Sequence, residues 1–98
     1  MREAGRHGAP VGPENARRLQ ARLSELEAAD TLEDMRHLPG VRCHELTGDR
    51  KGQLSLSLSH PYRLIITPED REAARKPDGG LEWTKVDAVV IEEIVDYH

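Results

Sequence analysis

Apolar positions follow a helical period in the first third of the chain and a strand period after it. Ala16, Leu19, Leu23 and Leu26 recur at spacings of 3, 4 and 3, one stripe of an amphipathic helix that opens at Pro13 and ends near Ala29. Arg17, Arg18, Arg22, Glu25 and Glu27 make up its solvated back. Asp30 or Thr31 caps a second, short helix running to about Arg36, and Pro39-Gly40 stops it. From there the period shortens to two. Val41–Leu46 reads as a strand, and Gln53–Ser59 alternates Leu54, Leu56 and Leu58 with Ser55, Ser57 and Ser59, leucines to a core face and serines to a wet one. The turn Gly48-Asp49-Arg50-Lys51-Gly52 joins these two as a hairpin. Tyr62–Thr67 follows through the short His60-Pro61 link, and Val86–Val95 is the last β-branched run, its alternation broken by Glu92-Glu93. The expected fold is α+β, with two N-terminal helices packed on one face of a small antiparallel sheet. Residues 1–12, with three glycines, a proline and no apolar period, read as a mobile arm ahead of a single domain over 13–98. Residues 69–85, charged and interrupted by Pro77 and Gly79-Gly80, read as a long functional or disordered loop.

Composition narrows the function classes. Ninety-eight residues with 21 Leu, Ile and Val and no Phe can close one thin core and exclude a two-domain enzyme. No run approaches the roughly 20 apolar residues of a membrane helix, so a cytoplasmic protein without membrane contact is expected. Cys43 is the only cysteine, which excludes an internal disulfide and a thiolate cluster and leaves a small buried strand residue. Residues 1–63 carry ten Lys/Arg against nine Asp/Glu, and residues 64–98 carry four against nine. With a net charge of −4, indiscriminate nucleic-acid binding is disfavoured and a local basic site is what remains. The histidines lack the spacing of metal ligands, and Gly48 and Gly52 lack the helix of a phosphate loop; neither metal nor cofactor is expected.

Polar groups on strands and at their ends are left: His44, Arg50, Lys51, Tyr62, Arg63, Asp96, Tyr97 and His98. RNA cleavage without a metal needs a base for the 2′-hydroxyl, an acid for the leaving 5′-oxygen and a cation for the phosphorane. Histidine, tyrosine and arginine fit those roles. The plain alternatives are a surface strand arginine at 63, a core-edge aromatic at 62 and a frayed terminal histidine. Composition alone does not choose between them.

Four blocks do. His44-Glu45-Leu46-Thr47-Gly48-Asp49-Arg50-Lys51-Gly52-Gln53, His60-Pro61-Tyr62-Arg63-Leu64-Ile65-Ile66, Asp78-Gly79-Gly80-Leu81-Glu82-Trp83 and Asp96-Tyr97-His98 stand in the order found in the plasmid-maintenance killer proteins. The chain resembles these host-inhibition-of-growth toxins of the RelE/ParE superfamily. The resemblance implies a toxin of a type II toxin-antitoxin pair, an endoribonuclease that cuts messenger RNA in the ribosomal A site. Its partner would be a helix-turn-helix antitoxin, held in a hetero-oligomer. Position by position, it implies catalytic roles for His44, Arg63, Asp96, Tyr97 and His98, and RNA or phosphate contacts for Arg50, Lys51 and Tyr62. Such toxins begin with a strand that Met1–Gly12 does not suggest, so an N-terminally shortened relative is expected; Thr47 also stands where they often carry lysine. The alternative is a non-catalytic binding protein, either a truncated toxin that still holds its antitoxin or a gyrase-poisoning relative.

Overall fold

The structure, a computed structural model, describes residues 1–5 and 12–96. It confirms the α+β reading and changes its details. A five-stranded sheet has the order β1-β5-β4-β3-β2, with β1 at Arg2–Ala4, β2 at His44–Glu45, β3 at Leu54–Ser57, β4 at Tyr62–Pro68 and β5 at Ala88–Asp96. Helix α1 spans Gly12–Ala28, and α2 is a single turn at Arg71–Ala74. The second predicted helix is a 3-10 segment, Leu32–His37, entered at Thr31 without a side-chain cap. Three antiparallel pairings join β2, β3, β4 and β5.

The fourth pairing is parallel and corrects the reading of the N-terminus. Arg2, Glu3 and Ala4 pair with Ala88, Val89 and Val90, so the strand that seemed missing is present. Its three residues show no apolar alternation because only the middle one is partly covered. The Met1 amino group donates to the carbonyls of Glu27 and Ala29 at the exit of α1, where a cation suits the negative end of the helix dipole. Residues 6–11 of the expected arm lie outside the described residues.

The core lies between α1 and one face of the sheet. Leu19 and Leu26 of the predicted stripe meet Leu54, Leu56, Leu64, Ile66, Val89 and Ile91 there. The leucines of β3 face inward as their alternation requires. Segment 69–85 is ordered: Ala74, Leu81 and Trp83 are buried in the same core, and Arg36 lies 4.0 Å over the Trp83 ring. Glu45 anchors that segment, accepting from the Leu81 amide at 3.2 Å and from Trp83 Nε1 at 3.1 Å. Where Glu92-Glu93 interrupts alternation, Ile65 pairs with Glu93 and Ile66 with Ile91, leaving Glu92 as the extra residue of a bulge. Both Ile91 and Ile94 thereby pack against the core while the two glutamates stay exposed.

Candidate functional site

On the sheet face opposite the core, register sets His44, Ser55, Ile65 and Glu93 in one cross-strand row and Ser57, Arg63 and Val95 in the next. The expected wet serine face is only partly wet: Ser55 is fully buried, and its Oγ accepts from Arg63 Nε at 2.7 Å. That bond holds the guanidinium of Arg63 flat along β3 and brings Nη2 to 3.4 Å from His44 Nδ1. The same Nδ1 lies 3.1 Å from the carbonyl oxygen of Arg42. A carbonyl can only accept and a guanidinium can only donate, so Nδ1 serves one of them at a time: protonated it donates to the Arg42 carbonyl and leaves Nε2 with the lone pair, unprotonated it accepts from Arg63.

His44 is presented by a segment fixed from behind. Arg42 has φ 51°, the one non-glycine residue in left-handed backbone among the described residues, a conformation that costs free energy and collects at functional sites. Arg22 sets the path leading to it. Its guanidinium donates to the carbonyl of Ser57 at 2.7 Å and to that of Gly40 at 3.2 Å, and pairs with Glu25 at 2.8 Å. The sequence pattern put Arg22 on the solvated back of α1; its side chain is in fact 7% exposed, because a long arginine can lie along the helix and satisfy carbonyls at its edge. Ser57 Oγ also donates to the Gly40 carbonyl, and the Ser57 amide donates to Val41 at 2.8 Å.

Two adjoining hollows of about 280 and 390 Å³ open beside this pair. They share Arg42, His60, Pro61 and Arg63; Arg18 and Tyr62 border the first and His44 the second. Among the described residues no carboxylate lines either one. A chain of net charge −4 thus concentrates arginine and histidine in one cleft, where the local field favours an anion. Arg42 and His60 are site residues that pattern reading missed. Their signal was adjacency to Cys43-His44 and to Tyr62-Arg63, but each sits just outside a strand, where periodicity is silent.

The other predicted residues are placed variously. Tyr62 is half-buried, packs against the core and pairs across the ladder with Asp96. Asp96 is the last described residue; Tyr97 and His98 lie outside the described set. Arg50, in the 3-10 turn Gly48–Arg50, donates to Gln53 Oε1 at 3.0 Å and to Glu93 Oε1 at 3.4 Å. To reach β5 from that turn it must pass over β4, where Ile65 is fully buried outside the main core. Lys51 points into a separate hollow with Arg71 and Arg75.

Burial pushes the Cys43 thiol from 9.0 up to about 12, Glu45 adds to the rise, and Arg36 opposes it. A thiol held protonated is a poor nucleophile, so Cys43 is a structural neighbour of the site.

Residues 3–76 match the family model described as the RelE-like toxin of the type II toxin-antitoxin system HigB. The chain belongs to this HigB-like toxin family. No curated protein matches the chain. The family match takes in Glu3 and Ala4 of β1 and the first two of the four sequence blocks, including His44 and Arg63, and stops before the Gly-Gly-Leu-Glu-Trp and Asp-Tyr-His blocks. Membership of the HigB-like family makes the chain a toxin of a toxin-antitoxin system, gives it an antitoxin as partner, and points to nuclease-type activity in general. No helix among the described residues is long and apolar enough to cross a membrane.

Proposed function

We propose that this HigB-like toxin is a ribosome-dependent messenger RNA endoribonuclease that works in the cytoplasm without a metal and is restrained by a helix-turn-helix antitoxin. The observation that carries the reading is the approach of Arg63 Nη2 to within 3.4 Å of the His44 ring in a carboxylate-free cleft. In the tautomer whose Nδ1 donates to the Arg42 carbonyl, His44 Nε2 takes the proton of the 2′-hydroxyl. The freed oxygen attacks the adjacent phosphorus, and the free Nη edge of Arg63 stabilises the charge that builds on the phosphoryl oxygens. The bond to the 5′-oxygen breaks as that oxygen receives a proton. Tyr97 or His98 supplies it, by resemblance to the family's terminal residues, and Asp96 orients its neighbour. Arg42 extends the positive wall along the RNA strand, with His60 beside it as a hydrogen-bonding group.

The truncated-toxin form of the non-catalytic reading drew its support from a missing first strand, and the pairing of Arg2–Ala4 with β5 removes that ground. The test is in vitro translation with the purified protein, followed by primer extension on the message. Cleavage within A-site codons is expected from the wild type, with loss in His98→Ala and His44→Gln. An uncut message with the wild-type protein overturns the proposal.

A further inference from the structure

A second basic hollow, of about 300 Å³, is lined by Lys51, Gly52, Arg71, Arg75, Gly79 and Leu81 and shares no lining residue with the His44 cleft. Its two free cations come from two different elements. Lys51, on the β2–β3 turn, brings Nζ to where a Cβ on Gly79 would stand, 2.9 Å away. Arg71, the first residue of α2, lays its guanidinium over Gly52, with Nη2 2.7 Å from the corresponding position there. Gly52 and Gly79 have φ of 93° and 92°, and each leaves open the space a side chain would fill. Among the described residues neither Lys51 nor Arg71 forms an ion pair, and no carboxylate lines the hollow; Arg75 is joined to Glu72 at 2.5 Å.

Cations gathered without a counter-charge repel one another, and flexible side chains that could separate into water converge here instead. We infer that this hollow binds a phosphate group of an RNA backbone, as an anchor distinct from the cleavage cleft. A phosphodiester presents oxygens to donors from several directions and matches cations supplied by separate elements. A carboxylate would be satisfied by one arginine fork. That the polymer is RNA rests on the proposed function; the site itself rests on the arrangement of charges.

The experiment compares the full-length protein with a Lys51→Gln/Arg71→Gln double variant, both positions being exposed so that folding is retained. Binding is measured across a salt series to a short single-stranded RNA and, separately, to ribosomes. Affinity is expected to fall roughly tenfold, and the logarithmic salt slope to shrink by about 0.7 per lost contact on single-stranded RNA. Weakening on the oligonucleotide identifies messenger RNA as the source of the phosphate, and weakening on ribosomes alone identifies ribosomal RNA. Unchanged affinity and slope on both overturns the inference. So does weakened binding of poly-L-glutamate with RNA binding intact, which would make the hollow a site for an acidic peptide. If the wild type binds RNA through these cations yet cuts no message, the anchor stands and the nuclease proposal falls.

Discussion

Arg63 spends its Nε on Ser55 Oγ, so only the Nη edge of the guanidinium faces the cleft. Lysine has no second edge: it can keep the charge or the serine contact, but not hold the charge in a fixed plane. Arg63→Lys is therefore expected to cut messenger cleavage by roughly 100-fold with an unchanged circular dichroism spectrum, read by primer extension. A change of similar size in both quantities would make Arg63 a structural residue. Arg22 gives the opposite pattern. Arg22→Met fills comparable volume but withdraws a donor from Ser57 and from Gly40 and leaves Glu25 without its partner. The expected cost is about 2–4 kcal/mol, measured by urea denaturation, and the loss of activity should follow the unfolded fraction.

At the scale of elements, β1 depends on one small residue. Gly5 follows the strand with φ 96°, and a Cβ there would stand 2.5 Å from the backbone oxygen of Ile91. Since the obstacle is main chain, Gly5→Ala should displace β1 from β5 and cost about 1–3 kcal/mol, with loss of hydrogen-exchange protection confined to the β1 and β5 edge. Protection equal to wild type would show that β1 contributes nothing there. Elements were legible in the sequence wherever burial was periodic, as in α1 and in Leu54, Leu56 and Leu58. They were hidden where it was not. β1 is three residues long with one partly covered side chain, and its partner lies at the other end of the chain. Ala74, Leu81 and Trp83 enter the core from a single helical turn, an isolated bridge and a 3-10 turn, elements too short to show a period, so a segment read as loop supplies part of the packing. The site was legible by resemblance at His44 and Arg63. Arg42 and Arg22 were not, because a left-handed backbone angle and a buried guanidinium leave no trace in apolar spacing.

The whole molecule carries a net negative charge yet sets Arg42 and Arg63 in one hollow and Lys51 and Arg71 in another, so its contact with a polyanion is predicted to be local and strongly salt-dependent. Stability as a whole is linked to pH through Cys43. The unfolded thiol releases its proton near 9.0, whereas burial holds the folded one to about 12. Between those values the folded chain binds the proton and the unfolded chain does not, so stability falls as pH rises through that window. Denaturation at pH 8 and pH 10 should show this decline in the wild type and a smaller one in Cys43→Ala; equal declines would remove the thiol as its cause. Glu92 has a broader reach than its exposed position suggests. A strand's sides alternate strictly, so one surplus residue reverses the phase of all that follows it. Deleting Glu92 would make the ladder regular with the same partners, Ile91 on Ile66, Glu93 on Ile65 and Ile94 on Leu64, whereas keeping Glu92 without the bulge would set it on Ile65 and turn Glu93 inward and Ile94 outward. By absorbing one residue, the bulge decides which side of the sheet Val95 and Asp96 face.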